Sequence, residues 1–248
     1  MAILRILLAV LALSAAATAA RAAEAVDLLL VLAADVSRSV DQPKFQLQRD
    51  GYAAAINDPR VMNAIMSGAT RRIAVCFVEW SGAGAQKVVV DWTLIDGPDA
   101  ARKFSDALVE APRSFADRTS ISGAIDFSME MLARAPFKAP RRTVDISGDG
   151  THNSGRGLLA AREDALATGL TINGLVILSE HPLPWNPEHT NPPGGLAKYF
   201  QDNVIGGPGA FVVVAENFQS FGQALISKLV AEIALAPSAA TGGPHPHP

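Results

Sequence analysis

The chain has 248 residues, of which 49% are hydrophobic and 18% are charged, and its formal net charge is −3 at pH 7. This composition is that of a globular domain and excludes an intrinsically disordered chain. No basic patch stands out in the sequence, which argues against nucleic acid as a partner.

The first 23 residues have the pattern of a secretory signal peptide. Arg5 precedes a short apolar stretch at 6–13, and small residues follow up to Ala23. The alternative is a retained N-terminal anchor, but a bilayer-spanning helix needs about 20 apolar residues and this stretch is shorter. We predict cleavage near Ala20 or Ala23, and a secreted or periplasmic protein with no membrane span after cleavage.

The region after the signal peptide, residues 24–236, alternates strand-like and helix-like segments and is predicted to form one α/β domain. Several strand candidates are almost continuous apolar runs, such as 28–32. Such runs are typical of parallel strands that are covered on both faces. The six predicted strands span residues 27–34, 72–80, 87–94, 143–147, 170–178 and 210–215.

Helix-like segments lie between most of these strands. Asp41 is a plausible N-cap for a helix that carries Phe45, Tyr52 and Ile56 at helical spacing. Asp58-Pro59 interrupts that helix. The remaining predicted helices span residues 61–66, 98–110, 122–133, 157–168, 196–203 and 218–235.

The connection between the second and third strands predicts the topology of the sheet. Only residues 81–85 separate these strands, and their Gly and Ala content is typical of a hairpin turn. The third strand is therefore expected to be an antiparallel edge strand. We predict a doubly wound, mostly parallel six-stranded sheet in the order 3-2-1-4-5-6, with helices on both faces.

The C-terminal tail, residues 237–248, is rich in Ala, Gly, Pro and His. It has no apolar periodicity and is predicted to be disordered. Its His245 and His247 could bind metal ions adventitiously, since two histidines in an unstructured tail are weak grounds for a site.

Oxygen-bearing side chains follow the carboxyl ends of the first and fourth predicted strands. The first strand ends in Asp35-Val36-Ser37-Arg38-Ser39, and the fourth ends at Gly148-Asp149-Gly150. These strands flank the point where the sheet changes direction, and ligands of α/β sheets bind there. The loop that carries Thr119 is expected at the same edge. Carboxylate and hydroxyl oxygens predict a hard cation, because softer metals prefer Cys or His.

In this order, these residues resemble the metal-ion-dependent adhesion site (MIDAS) of von Willebrand factor A (vWA) domains. The resemblance covers the whole region after the signal peptide and fits best with an uncharacterised bacterial secreted family of such domains. It implies that Ser37 and Ser39 ligate Mg²⁺, with Mn²⁺ and Ca²⁺ as alternatives. It also implies that Thr119 ligates directly or through water, and that Asp35 and Asp149 hold coordinated waters or ligate directly.

The resemblance further implies a binding module that is not an enzyme. Neutral hydroxyls supply little charge, so a Mg²⁺ ion held by them and by two carboxylates stays electrophilic. An acidic side chain of another protein can then replace one of the waters on the metal. We therefore expect a protein partner with an exposed Asp or Glu.

Each part of this pattern also has a purely structural interpretation. A Ser pair after a strand commonly makes turn or helix-capping hydrogen bonds, and Thr119 alone would be a helix N-cap. Asp149-Gly150 is a common turn signal. The occurrence of all three at the ends of the appropriate strands is what favours the metal site.

Two nearby segments are candidates for partner binding. His152 either modulates the metal or a ligand, or is a loop residue with Asn153 or Ser154 capping the next helix. The segment 180–195 contains five prolines and leaves the metal-bearing edge of the sheet. Its Trp185 either contacts a partner or packs onto the body of the domain.

Two other functions remain open. The sequence from Gly148 to Asn153 resembles the late acidic motif of haloacid dehalogenase-type phosphatases, which would make the chain a metal-dependent hydrolase. However, Ser37 stands where those enzymes carry an acid/base Asp, and no obvious lysine completes their set. The second alternative is a structural periplasmic protein with a vestigial metal site.

Overall fold

The computed structural model of the chain describes residues 23–179 and 182–234. The predicted signal peptide, except for Ala23, and the predicted tail lie outside these ranges, so both remain predictions. Across the described ranges, no helix is long and apolar enough to cross a membrane.

The described part of the chain contains eight strands, which form two sheets. In chain order they are β1 (Glu24–Ala25), β2 (Leu28–Asp35), β3 (Ile73–Trp80), β4 (Gln86–Ile95), β5 (Phe137–Lys138), β6 (Arg141–Gly148), β7 (Thr171–Ile177) and β8 (Val212–Ala215). The large sheet has six strands in the order β4-β3-β2-β6-β7-β8. Strand β4 is antiparallel to β3, and every other neighbouring pair in this sheet is parallel. The predicted order and the antiparallel edge strand are confirmed.

Within residues 23–179 and 182–234, eight helices lie between the strands or follow the last one. In chain order they are α1 (Gln42–Asn57), α2 (Pro59–Met66), α3 (Pro98–Glu110), α4 (Ile121–Ala133), α5 (Leu158–Ala167), α6 (Pro187–Thr190), α7 (Leu196–Asn203) and α8 (Phe221–Ala234). Asp41 is the N-cap of α1 as predicted, because its side chain accepts a hydrogen bond from the Lys44 N–H at 2.9 Å.

Successive side chains of β2 point to opposite faces of the sheet and enter two separate hydrophobic cores. Leu28, Leu30 and Leu32 pack in one core with side chains of α1, α2, α3 and α8. Leu29 and Val31 pack in the other with side chains of α4, α5 and α7. The sheet is therefore covered on both faces, as the apolar runs of its strands predict.

Three local features differ from the sequence prediction. Strands β1 and β5 pair in parallel as a separate small sheet, and at two residues each they are too short for a periodic pattern. Helix α6 is a single turn inside the proline-rich segment. Helix α8 begins at Phe221, three residues later than predicted. Before it, Asn217 and Ser220 exchange side-chain and main-chain hydrogen bonds in a turn.

The register of β2 and β6 brings the predicted metal-site motifs to the same edge of the sheet. The two strands are parallel neighbours in which Ala34 pairs with Ser147. Asp35 is the last residue of β2, and Asp149 directly follows the last residue of β6, so both carboxylates lie at the carboxyl ends of adjacent strands. This position is where α/β sheets bind ligands.

Candidate metal-binding site

The predicted metal-site residues lie at the carboxyl edge of the large sheet, on three different loops. These residues are Asp35, Ser37, Ser39, Thr119 and Asp149, and all of them are buried. Asp35 is the last residue of β2 and Ser37 and Ser39 follow it, Thr119 precedes α4, and Asp149 follows β6. Polar side chains are rarely buried without partners, so the hydrogen bonds of each residue show which of its polar atoms are satisfied within the protein and which are not.

The two serine hydroxyls connect the loop after β2 to the loop after β6. The Ser39 Oγ donates to Asp149 Oδ1 at 2.6 Å, and the Ser37 Oγ lies 3.1 Å from the Ser39 Oγ. Because a serine hydroxyl carries a single hydrogen, Ser37 is the donor of the second bond. The bonds form a chain from Ser37 through Ser39 to Asp149.

The structural interpretation of these hydroxyls does not match their contacts. Helix α1 is capped by Asp41, so Ser37 and Ser39 do not cap it. Helix α4 is capped by Ser120, whose Oγ accepts from the Gly123 N–H at 3.2 Å, so Thr119 is not its N-cap. The hydroxyls of Ser37, Ser39 and Thr119 are therefore available for the site itself.

Each of the two buried carboxylates has one satisfied oxygen and one unsatisfied oxygen. Asp35 Oδ1 accepts from the Ser37 N–H at 2.7 Å, and Asp149 Oδ1 accepts from Ser39. The Oδ2 atoms of Asp35 and Asp149 are buried and have no hydrogen-bond partner within residues 23–179 and 182–234. An unpaired buried anionic oxygen is costly, and a bound cation would satisfy both of them.

The electrostatics of the two carboxylates point the same way. Burial raises the pKa of Asp35 well above its ordinary range, and the nearby Asp149 carboxylate raises it further. Burial also raises the pKa of Asp149, while its bond to Ser39 and the ammonium of Lys44 lower it in part. A divalent cation beside both groups would favour their charged forms.

The donor set is rich in hydroxyls and poor in thiolate or clustered carboxylate ligands. Among the described residues, no group of three or more His, Cys, Asp or Glu side chains comes together as a metal-holding cluster. The site instead offers two carboxylates and three hydroxyls, which suit a hard, hydrated cation.

Arg113 holds the loop after β2 in shape. Its guanidinium donates to the main-chain carbonyls of Val36, Ser37 and Val40 at 2.8, 3.0 and 2.6 Å. These bonds hold the backbone that carries both serines. The sequence gives no local signal for this role, because Arg113 lies in an irregular loop more than 70 residues after the backbone that it holds.

Asn153 fixes the position of Thr119. The Asn153 Oδ1 accepts from the Thr119 N–H, and the Asn153 N–H donates to the Thr119 carbonyl, each at 2.9 Å. The prediction that Asn153 or Ser154 caps the next helix is wrong. The N-cap of α5 is Gly157, which makes no side-chain capping bond, and Ser154 accepts from the Ala83 N–H.

His189 lies beside Thr119, a position that sequence analysis did not anticipate. Its Nε2 is 3.3 Å from the Thr119 Oγ1, and its Nδ1 is 3.3 Å from the Thr151 Oγ1. The ring is buried, and burial lowers its pKa, an effect that the Asp149 carboxylate partly opposes. In the sequence, the one feature that could have pointed to this position is that His189 lies in the proline-rich segment, which leaves the sheet at its carboxyl edge.

The two residues predicted to contact a partner have different settings. His152 is half-buried, and its Nε2 lies 3.1 Å from the Arg156 carbonyl. Trp185 is 72% exposed, so it does not pack onto the body of the domain. It lines a cleft of about 100 Å³ that also contains Ser39, Thr119 and His189. The cleft connects the hydroxyls of the site to an exposed aromatic side chain.

Comparison with protein families gives one match over most of the chain. The model described as "Protein of unknown function (DUF1194)" matches residues 25–237. No curated protein matches the sequence.

Solved structures with a similar fold include three of different origin. Proximal thread matrix protein 1 (PTMP1) from the mussel byssus, with a zinc-occupied MIDAS motif, is 15% identical, and its TM-score is 0.56 over 85% of this chain and 48% of that chain. A von Willebrand factor type A protein from Catenulispora acidiphila is 14% identical, with a TM-score of 0.52 over 84% and 42%. The pilus adhesin SpaC from Lactobacillus rhamnosus GG, in its open conformation, is 13% identical, with a TM-score of 0.58 over 86% and 30%.

The described chain therefore has the vWA fold, which confirms the fold that the resemblance in the sequence implies. It spans less than half the length of each of these three structures. At such low identity the likeness concerns the fold alone, because one fold can carry many functions.

Proposed function

We propose that this chain, which belongs to the DUF1194 family of proteins of unknown function, is a vWA module that binds a divalent cation and, through it, an acidic partner. The observation that carries the proposal is the pair of buried carboxylates, Asp35 and Asp149, each with an unpaired oxygen. A cation beside them would offset the free energy that their desolvation costs.

The cation would be held by residues of all three loops. Ser37, Ser39 and Thr119 would supply hydroxyl oxygens, while Asp35 and Asp149 would ligate directly or hold coordinated waters. The oxygen donors suit Mg²⁺, with Mn²⁺ and Ca²⁺ as alternatives. The zinc-occupied MIDAS motif of mussel PTMP1 supports a divalent cation at this edge of the fold.

The partner would reach the cation through the cleft beside Ser39 and Thr119. Arg38, Asp117 and Arg118 line this cleft and are exposed at the surface. Arg38 forms an ion pair with Asp117 at 3.9 Å, so Arg118 is the cation that would attract an acidic side chain, which could replace a water on the metal. Trp185, at the rim, would add an aromatic contact of the kind enriched at interfaces, and His152 is a second candidate for partner contact.

The hydrolase alternative has less support from the residues at the site. Ser37 carries a hydroxyl that cannot serve as the acid/base carboxylate of a haloacid dehalogenase-type enzyme. The lysine that is not obvious in the sequence is present, since the Lys44 Nζ donates to the Ser39 carbonyl at 3.0 Å, but it does not replace the missing acid/base carboxylate. Because that carboxylate is missing, we propose a binding protein that acts outside the cytoplasm, secreted or periplasmic, and not an enzyme.

The proposal is tested with an array of acidic peptides, each paired with a counterpart in which Gln or Asn replaces the acidic residue. We expect the protein to retain acidic peptides in Mg²⁺ or Mn²⁺, to release them in EDTA, and to bind their amide counterparts at least about tenfold more weakly. Ser39→Ala should abolish retention. Ser128→Ala is the matched control, because this buried hydroxyl bonds only to the Ala124 carbonyl of its own helix.

Two results would contradict the proposal. Peptide binding that persists in EDTA or in Ser39→Ala would mean that the site does not mediate it. Cation-dependent hydrolysis of p-nitrophenyl phosphate that is lost in Asp35→Asn would favour the phosphatase alternative.

A further inference from the structure

We infer that His189 is an additional ligand of the proposed cation, and that its imidazole nitrogen makes the site prefer transition-metal ions such as Mn²⁺ and Zn²⁺ over Mg²⁺. This inference rests on the proposed metal site. It assigns a protein nitrogen donor to a site whose other donors are oxygens.

The separation of His189 from Thr119 is that of two ligands of one metal ion. Adjacent ligands about 2.1 Å from an octahedral cation lie about 3.0 Å apart, and those of a tetrahedral cation about 3.4 Å apart. The observed distance between His189 Nε2 and Thr119 Oγ1 is 3.3 Å. The Ser37 and Ser39 hydroxyl oxygens are 3.1 Å apart, which is also within this range.

The second ring nitrogen of His189 has the partner that a metal-bound histidine requires. A ligating imidazole usually donates its other N–H to an oxygen, which fixes the tautomer and the ring orientation. Here the Thr151 Oγ1 lies 3.3 Å from His189 Nδ1. With the proton on Nδ1, the lone pair of Nε2 faces Thr119 and the cleft.

The backbone of the site is shaped around this ring. The Thr151 N–H donates to the His189 carbonyl at 2.8 Å, which ties the single-turn helix α6 to the loop after β6. A Cβ on Gly150 would lie 2.2 Å from the His189 Nε2, so a larger residue at position 150 would displace the imidazole from this position. The residue after the metal-site Asp149 thus accommodates the imidazole.

The resulting donor set discriminates between cations. Mg²⁺ prefers oxygen ligands. An imidazole nitrogen binds Zn²⁺ most strongly, Mn²⁺ less strongly and Mg²⁺ most weakly. The buried carboxylates of Asp35 and Asp149 supply negative charge in either case. One nitrogen and three hydroxyls occupy four of the six positions of an octahedral cation. When Asp35 and Asp149 act through coordinated waters, an acidic partner group could still replace one of these waters.

The test compares cation binding in three forms of the full chain. The background carries His245→Ala and His247→Ala, which removes the tail histidines that could bind metal adventitiously. His189→Ala is made in this background, and Ser128→Ala is the control, because the Ser128 hydroxyl donates to the Ala124 carbonyl of its own helix and lies outside the candidate site. Mg²⁺, Mn²⁺ and Zn²⁺ affinities are measured by titration calorimetry, and pulsed electron paramagnetic resonance of the Mn²⁺ form detects nitrogen ligands.

We expect Mn²⁺ and Zn²⁺ to bind the background protein at least about tenfold more tightly than Mg²⁺. His189→Ala should weaken both by about 10- to 100-fold, change Mg²⁺ affinity by less than about threefold and remove the nitrogen signal. Ser128→Ala should leave all of these unchanged. The absence of a nitrogen signal in the background protein overturns the inference whether or not His189→Ala folds. A nitrogen signal that persists in folded His189→Ala would come from another histidine and would also overturn it.

The possible failures are distinguishable. If the background protein binds cations but shows no nitrogen signal, and His189→Ala changes no affinity, the inference is overturned while the proposed metal site stands. If the background protein binds none of the three cations, the proposed function fails together with the inference.

Discussion

Asp35 and Asp149 are buried at a place where burial costs free energy of folding. Both carboxylates keep one oxygen without a hydrogen-bond partner among the described residues, and burial raises the pKa of both. A purely structural site would be expected to place neutral or fully bonded groups there. Costly local arrangements of this kind are common where a protein binds a ligand.

The first prediction concerns Asp35→Asn in the metal-free protein. The amide keeps an acceptor for the Ser37 N–H and removes a charge that burial and Asp149 both disfavour. We expect the free energy of unfolding in EDTA at pH 7 to rise by about 1 kcal/mol, which corresponds to a melting temperature about 2–4 °C higher for a domain of this size. A lower melting temperature in EDTA would show that the Asp35 carboxylate has a structural role instead.

At the residue scale, the sequence predicts the oxygen donors but not their supports. Asp35, Ser37 and Ser39 are close in the sequence, and Asp149 follows a recognisable strand, so their convergence could be predicted from topology. The positions of His189, and of Arg113 and Asn153, which hold the loops in place, could not be predicted in this way. Their roles depend on how irregular loops return to the site, and local patterns do not encode those paths.

Helix α8 is joined to β6 by a buried cluster of charges. The Lys228 Nζ lies 2.7 Å from Asp145 Oδ1, and it also pairs with Glu232 on its own helix. The Asn173 Nδ2 donates to Glu232 Oε1 at 2.6 Å. One cation thus faces two buried carboxylates, and removing it would leave both uncompensated.

The second prediction compares two Lys-acid pairs that have the same spacing along a helix. Lys228 and Glu232 are buried, whereas Lys198 and Asp202 are exposed. We expect Lys228→Met to lower the free energy of unfolding by about 3–5 kcal/mol, and Lys198→Met to lower it by less than about 1 kcal/mol. Urea unfolding measures both. Similar losses in the two variants would contradict a special role for the buried cluster.

The third prediction concerns pH. Burial raises the pKa of Asp145 to about 7, Lys228 lowers it in part, and Glu232 raises it further. A pKa that is higher in the folded than in the unfolded state stabilises the fold at low pH, and this contribution is lost as pH rises through about 7. We expect the free energy of unfolding to fall more steeply between pH 5 and pH 8 in the wild type than in Asp145→Asn.

Urea unfolding at several pH values measures this difference. Each unit of pKa shift corresponds to about 1.4 kcal/mol, which makes the effect large enough to detect. The comparison with Asp145→Asn removes the contributions of Asp35 and Asp149, since these are present in both proteins. Equal slopes would contradict the assignment of this titration to Asp145.

At the element scale, the sequence predicts long elements better than short ones. The apolar runs of β2 and β3 and the short connection before β4 are strong signals, so the order of the sheet could be predicted. Strands β1 and β5 and helix α6 are shorter than any periodic pattern, and they form because distant segments meet. Helix α6 carries His189, so the element missed by sequence analysis is also part of the candidate site.

At the scale of the whole molecule, the sheet separates two kinds of polar burial. The carboxyl edge carries the loops of the candidate metal-binding site and the cleft lined by Trp185. The face covered by α8 carries the Lys228 cluster, which is closed by helix packing. Asp149 of the first group is buried just after β6, and Asp145 of the second is buried within β6. A substitution of Asp145 is therefore a matched control for substitutions of the site carboxylates.

The central claim is that the carboxyl edge of this vWA fold binds a divalent cation. Titration calorimetry of the chelator-treated protein with Mg²⁺ and Mn²⁺ tests it most directly, in the wild type, Asp35→Asn and Asp145→Asn. We predict one saturable binding event in the wild type, its loss in Asp35→Asn and its retention in Asp145→Asn. The absence of binding in the wild type, or unchanged affinity in Asp35→Asn, would contradict the account.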